Sequence, residues 1–336
     1  MSLILFKTLF ITLFVNFFFK KKNFALDRKS YSSHKKLTSN NSQVPLSGGI
    51  IFIFILIFSN YLFNEYFFFI FFIFLLGFLS DLNFLTSAKT KIVFQIIIVI
   101  SYLIFSSNHI GSIRIHFYDE LNNLIILKII FTLFCLLILI NGSNFIDGIN
   151  SLSLGYYLIV ILNIIILSNN AGIQVYNIEL ILVGLLVLYL FNFFEKLYLG
   201  DSGIYSLSTF VGIYLINFSN NNTIISPYYC ALLLWYPAFE NLFCILRRFF
   251  YNKSYHKPDN DHLHHILFLS LKKKIKYKIA ILNTLTGTLI CAYNFFIFYF
   301  SANYYYSTKY SITFIIINCF IYCSIYFLLK KNLNNK

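Results

Sequence analysis

Residues 50–58, 66–76 and 133–140 run without a charged side chain, and similar runs recur along the whole sequence. Segments of this kind must leave water, either inside a soluble core or inside a bilayer. Composition separates the two. Of 336 residues, 59% are hydrophobic and only 11% are charged, where a soluble domain carries about 25% charged residues. No soluble packing of a chain this size can hide so much Phe, Ile, Leu and Tyr, and a disordered chain needs the opposite balance. The solvent is lipid. Backbone polar groups find no water there, which leaves a helix bundle or a closed barrel. Barrel strands alternate apolar and polar residues. The continuous runs instead predict an all-α polytopic membrane bundle, with residues 1–336 as a single domain.

A spanning helix needs about 17–25 residues. Apolar stretches at 3–19, 49–64, 66–79, 92–106, 123–140, 152–167, 178–193, 203–217, 225–245, 279–300 and 310–329 predict about 11 transmembrane helices. The first is followed by Lys20, Lys21 and Lys22 with no small-residue cleavage site, which reads as a retained anchor. Only Asn64 and Glu65 divide the second from the third, predicting a tight helical hairpin or a kinked pair. The connections 20–48, 80–91, 141–151, 194–202 and 246–278, with the C-terminal tail, hold 22 of the 26 Lys and Arg residues. Basic residues accumulate on the cytoplasmic side, so the N-terminus is expected outside and the C-terminus in the cytoplasm. Contact with anionic headgroups accounts for part of this charge. All six cysteines fall inside apolar runs and read as small core residues.

The same loops collect seven of the twelve acids and five of the seven histidines. Acids contribute little to the basic-inside bias, so topology does not explain them. Carboxylates, amides, imidazoles and lysines gathered against a membrane point to a site for a phosphorylated substrate, without naming a reaction. In Asn141-Gly-Ser-Asn144-Phe-Ile-Asp147-Gly-Ile-Asn150, positions 141, 144 and 147 share one sector of a helix. Polar groups there belong in a wet cavity, or they are plain caps at a helix end. Leu199-Gly200-Asp201-Ser202-Gly203 reads either as an ordinary helix start or as a carboxylate placed for Mg²⁺. In Asp259-Asn-Asp261-His262-Leu-His264-His265, zinc ligation competes with hydrogen bonding to phosphate or sugar oxygens. Flanking Arg247, Arg248 and Lys272–Lys274 favour an anion.

In order along the chain, these pieces resemble the polyprenyl-phosphate N-acetylhexosamine-1-phosphate transferases, polytopic enzymes of glycosyltransferase family 4. The resemblance runs from about residue 27 to 267. His34, Lys35 and Lys36, with Pro45 to Gly49, are similar to the family's first cytoplasmic loop. Gly77 to Leu82, with Lys91 and Gln95, is similar to its paired-aspartate segment. Asn141–Gly148 is similar to its NxxNxxDG motif, Asn192 to its FN, and Leu199–Gly203 to its LGDSG. Pro237 to Glu240 and Arg248 are similar to its ninth-span signature, and Asp259 to His265 to DxxHxHH. The DxxHLHH form is more like the branch that begins O-antigen, capsule or teichoic-type polymers than the peptidoglycan branch.

The resemblance implies transfer of N-acetylhexosamine 1-phosphate from a UDP-sugar to polyprenyl (undecaprenyl) phosphate, with release of UMP, as the first membrane step of cell-surface polysaccharide synthesis. It implies a bacterial inner (plasma) membrane protein with its active site on the cytoplasmic face. The implied catalytic residues are Asp81, Asp147, Asn144 and Lys91. Substrate-binding residues are Lys35, His34, Asn192, Arg248, Asp259, His262, His264 and His265, with Asn192 pairing to uracil. Asp201 and Asn144 are the implied ligands of Mg²⁺, or of Mn²⁺ as an alternative. The partners are UDP-N-acetylhexosamine, polyprenyl phosphate and the bilayer, without nucleic acid; a homodimer is compatible with all of them. The sequence departs from the family pattern at Ser80 and Asn150, each in place of Asp, at Ser151 in place of Gly, and at Asn260 in place of a basic residue. Two other readings stand beside this one: a secondary transporter or lipid-linked sugar flippase, and a catalytically impaired family member.

Overall fold

The structure, a computed structural model, describes residues 1–27, 43–62, 65–121, 124–250 and 261–334. Among these residues it is a helical bundle with one short β pair. Helix α1 (Ser2–Lys22) leads into β1 (Leu26–Asp27), which pairs antiparallel with β2 (Val44–Pro45). Then follow α2 (Gly48–Phe58), α3 (Phe67–Asp81), α4 (Ala88–Ser106), α5 (His116–Leu121) and α6 (Ile125–Ile146). The second half comprises α7 (Leu152–Ala171), α8 (Ile178–Phe193), α9 (Gly200–Asn221), α10 (Pro227–Leu233), α11 (Trp235–Phe250), α12 (Leu263–Lys274), α13 (Ile279–Ser301) and α14 (Thr308–Asn334).

Every predicted stretch carries a helix, but the helices are unequal. Among the described residues six are long and apolar enough to cross a membrane: α1, α4, α6, α7, α13 and α14; α10 with α11 would make a seventh if a bent pair is one span. Helices α2, α3 and α8 are shorter apolar helices. The stretch expected at 49–64 stops at Phe58, because Ser59 caps α2 and Asn60 turns left-handed at φ +61°. Eleven residues span about 16 Å at the helical rise, about half of a bilayer core. The stretch expected at 225–245 breaks at Leu234 with a bend of 74°. Pro237 accounts for the break, since its ring excludes the carbonyl four residues back and it has no N–H to donate.

Helix α9 forms the centre. It packs on α2, α3 and α6, and every residue from Ser202 to Ile213 is buried. Ser202, Ser206, Ser208 and Thr209 keep it out of the apolar set, yet neighbouring helices shield it from lipid. The hydroxyls of Ser206 and Ser208 donate to carbonyls four residues back, which satisfies them without a water partner. The periphery is the reverse: Phe72, Ile126 and Phe320 are exposed, and Phe105 is 90% exposed, as a lipid-facing belt requires. All six cysteines are unbridged.

Helix direction alternates, so two sets of chain ends gather at opposite ends of the bundle. One end gathers the ends of α1, α3, α6, α8, α11 and α14 with the starts of α2, α4, α7, α9 and α13, and α12 lies across that end, tied to the end of α14 by Asp261–Lys330 and Lys273–Asn332. The other is fastened by Arg114, whose guanidinium donates to the carbonyls of Thr223, Ile225 and Tyr306. The N-terminus lies at the Arg114 end, and the C-terminus at the end where the motifs gather.

Candidate active site

The turn before α9 is wedged between two other helices. Gly200 adopts φ +70°, a conformation that costs a residue without Cβ nothing. The Asp81 carboxylate, at the end of α3, receives the N–H groups of Asp201 and Ser202 at 2.8 and 3.0 Å and the Ser202 hydroxyl at 2.6 Å. One helix thus caps the next, because donors at a helix start have no partner within their own helix. Contact this close requires Gly77, where a Cβ would lie 2.5 Å from the backbone N and Cα of Ser202. Burial first, and the neighbouring Asp201 charge second, push the Asp81 carboxyl up to about 7, against the pull of its three hydrogen bonds.

The Asp201 carboxylate has different partners. Lys91 at the start of α4 forms an ion pair with it at 2.8 Å, and the Ser80 hydroxyl donates to the same oxygen. Beside it lies a cavity of about 300 Å³, bordered by Asp27, Leu46, Ser80, Asp81, Asn83 and Asp201. A larger cavity of about 540 Å³ lies at the opposite end of α9, between Tyr61, Tyr66, Tyr214 and Asn217. No charged side chain appears among its described lining residues, so the ionic chemistry belongs to the smaller cavity.

Helix α4 extends the site towards α6. Gln95, one turn after Lys91 and on the same face, accepts a hydrogen bond from Asn141 at 2.9 Å. Asp147, at the end of α6, receives the Ser153 hydroxyl. A Cβ on Gly148 would lie 3.1 Å from the His265 ring and 3.5 Å from His264, which seats the histidine segment against this turn. The imidazoles of His262, His264 and His265 pack together, with His264 and His265 centroids 4.4 Å apart. Tyr198 closes the gap to the first half of the chain. Its N–H donates to Pro45 and its carbonyl accepts from Gly48. Burial, then the negative charges of Glu195 and Asp27 and more weakly that of Asp147, push its hydroxyl above the ordinary range, against a hydrogen bond with Asn150. Asp27, Asp81, Asp147, Asp201 and the histidine segment therefore share one end of the bundle.

Asn192 is 5% exposed and joins two loops: its carbonyl accepts from Ser151 N–H at 2.7 Å and its NH₂ donates to the Leu197 carbonyl at 3.0 Å. Both Asp81 oxygens hold the turn that starts α9. Asn144 is half-buried one turn before Asp147, and no hydrogen bond among the described residues ties it to Asp201. Arg248 is buried on α11 beside Arg247. His34, Lys35 and Asp259 lie outside the described residues. Sequence reasoning missed Tyr198 and Ser153, neither of which left a local signal.

No group of three or more His, Cys, Asp or Glu side chains among the described residues is arranged to hold a metal. The arrangement at Asp201 still fits Mg²⁺, which is bound through one or two carboxylates together with water and substrate phosphates rather than in a protein cage.

A family model for glycosyl transferase family 4 matches residues 63–219. A probable undecaprenyl-phosphate N-acetylglucosaminyl 1-phosphate transferase of Bacillus subtilis is 26% identical over 196 residues, 57% of this chain and 54% of that protein. The chain thus matches about half the length of that relative. The undecaprenyl-phosphate alpha-N-acetylglucosaminyl 1-phosphate transferase of Thermotoga maritima is 28% identical over 272 residues, 79% of each chain. The matched family region contains Asp81, Lys91, Asp147 and Asp201 but ends before the histidine segment.

Proposed function

From its similarity to glycosyl transferase family 4, we propose that the chain belongs to that family and transfers N-acetylhexosamine 1-phosphate from a UDP-sugar to polyprenyl phosphate. The acceptor is of the undecaprenyl type named for both relatives. The observation that carries this reading is the meeting of Asp201, Lys91, Ser80 and Asp81 beside a polar cavity at the motif-bearing end of a lipid-exposed bundle. On this reading that end faces the cytoplasm of a bacterial inner membrane, and the product begins a cell-surface polysaccharide.

An oxygen of the lipid phosphate attacks the phosphorus that bears the sugar. A new P–O bond forms, the P–O bond to the uridine phosphate breaks, and UMP departs with the electron pair. Catalysis of such a transfer is mostly positioning and charge neutralisation, because the two reactants repel. Lys91 provides a cation at the cleft, and a charge-assisted bond to a phosphate oxygen replaces its pair with Asp201. Asp81 and Ser80 keep the Asp201 carboxylate aimed into the cavity. Asp147 orients the sugar phosphate from the α6 side. His262, His264 and His265, with Arg248, grip the diphosphate, and His34, Lys35 and Asp259 complete the substrate surface. Asp201 would hold Mg²⁺, with Asn144 as the second expected ligand, and the ion supplies further charge neutralisation when bound.

The test compares wild type with Asp201→Asn in membranes given a UDP-N-acetylhexosamine, polyprenyl phosphate and Mg²⁺. UMP release should fall by about a hundredfold or more, the scale of losing a group that stabilises developing charge. Equal release would remove Asp201 from the reaction.

A further inference from the structure

The larger cavity, of about 540 Å³, lies beyond the end of α2. Helices α2 and α9 start side by side, with a Cβ on Gly48 falling 2.7 Å from the Leu199 backbone. Helix α9 then runs for 22 residues, about 33 Å, and α2 for only 11, about 16 Å. The room left above α2 is the cavity, bordered by residues of α9 between Phe210 and Asn221. These lie about 14–30 Å beyond Asp201 along the helix, out of reach of the chemistry at the motif-bearing end. One wall is built in advance. The Tyr61 hydroxyl donates to the Tyr176 carbonyl at 2.7 Å, and the Asn177 amide to the Ser59 carbonyl at 3.1 Å.

The lining is mixed. Leu56, Phe210 and Ile213 are buried, whereas Gln174, Tyr176 and Asn221 are exposed. Aromatic rings stand in a row along it: Tyr176 against Tyr61 at 6.1 Å, Tyr61 against Phe210 at 5.4 Å, and Phe210 against Tyr214 at 6.0 Å between centroids. The faces of such rings are electron-rich and attract polarised C–H bonds. The side chains of Gln174, Tyr214 and Asn221 make no hydrogen bond among the described residues.

These features select a ligand by exclusion. No described lining residue is charged, so an ion would enter without a counter-charge, which is costly. A hydrocarbon chain would cover the phenol of Tyr214 and the two amides and leave them unpaired, losing the bonds that water provides. Amides and phenols both donate and accept. A neutral ring with an apolar face and a rim of hydroxyls satisfies the aromatic row and the free polar groups together. That description is a sugar. The volume is within the range of about 300–1,000 Å³ typical of small-molecule pockets.

We propose that this cavity binds an uncharged sugar ring, free or as the head of a glycolipid, with Gln174, Tyr214 and Asn221 meeting its hydroxyls. The inference goes beyond the transferase reading and does not depend on it, because the site lies at the other end of the bundle.

The experiment uses the purified full-length protein in an amine-oxide detergent, which has no sugar headgroup, and measures equilibrium binding of labelled probes. The probes are methyl glycosides of neutral hexoses and N-acetylhexosamines, the octyl glycosides of the same sugars, methyl glucuronide and geranylgeraniol. At least one neutral glycoside should bind. Binding of the methyl form identifies a free sugar as sufficient, and binding of the octyl form alone identifies a lipid-borne one; either supports the proposal. Methyl glucuronide should bind about tenfold or more weakly than its neutral counterpart, since its charge has no partner. Gln174→Leu, Tyr214→Phe and Asn221→Leu should each weaken the sugar by about fivefold, the scale of one lost hydrogen bond, and leave UMP release unchanged. If Tyr214→Phe or Asn221→Leu lowers the unfolding temperature, Gln174→Leu at its exposed position decides alone. Failure of every glycoside to bind overturns the proposal, as does wild-type affinity in the deciding variants. Displacement of the sugar by geranylgeraniol overturns it too, and assigns the cavity to a hydrocarbon chain.

Discussion

Ser80 stands where the family pattern has a carboxylate, and its hydroxyl donates to Asp201. An aspartate there would face the Asp201 charge in a buried position unless a cation lay between them. Ser80→Asp should therefore unfold at a lower temperature than wild type in EDTA and recover most of the difference in Mg²⁺, while wild type responds less. An equal response in the two proteins would argue against a divalent ion at Asp201. Asn150 has a related explanation: its amide donates to Glu195 at 2.8 Å, where an aspartate would meet a like charge. Ser151 occupies φ +65°, a conformation suited to glycine, the residue of the family pattern. Asp81, Lys91, Asp147 and Asp201 were legible as candidates because their charges break apolar runs, and the fold brings them to one end of the bundle. That Asp81 meets the backbone of Asp201 and Ser202, and Asn192 that of Ser151 and Leu197, was not, since nothing local in the sequence states which backbone groups a side chain will meet across the fold.

At the scale of elements, existence was legible and extent was not. Apolar runs mark where helices form, but the ends of α2 and of the α10–α11 pair depend on single residues, Asn60 and Pro237. Helix α9 shows the limit of hydropathy: its polar residues are consistent with a position wrapped by other helices, which composition alone does not distinguish from a loop. Its fit against α3 is tight. Gly77→Ala puts a Cβ against the Ser202 backbone, which cannot yield as a side chain would, and should cost about 1–3 kcal/mol in thermal unfolding. UMP release should fall further than stability alone explains, by about a hundredfold, because a displacement of about 1 Å at a reacting centre can cost that much. A fully active Gly77→Ala would show that the α3–α9 contact does not set the position of Asp201.

Across the whole molecule, alternating helix direction sorts the chain into two ends with separate duties, and the alternation of basic loops had indicated which residues would meet. Arg114 serves the end away from the site. Arg114→Ala removes a charged donor from the carbonyls around 223–225 and 306. It should destabilise by about 1–2 kcal/mol and leave UDP affinity unchanged; an equal loss of UDP affinity would mean that the two ends are coupled. Helix α11 divides the same way across its width. Glu240, Asn241, Arg247 and Arg248 are buried, while Leu242, Ile245, Leu246, Phe249 and Phe250 are exposed. A helix with its oily side outward and its ionic side inward is a partition one helix thick, about 10 Å. An amphiphile with an anionic head and a hydrocarbon tail could lie astride that wall, each part in its preferred medium, and the membrane would never have to part to admit it.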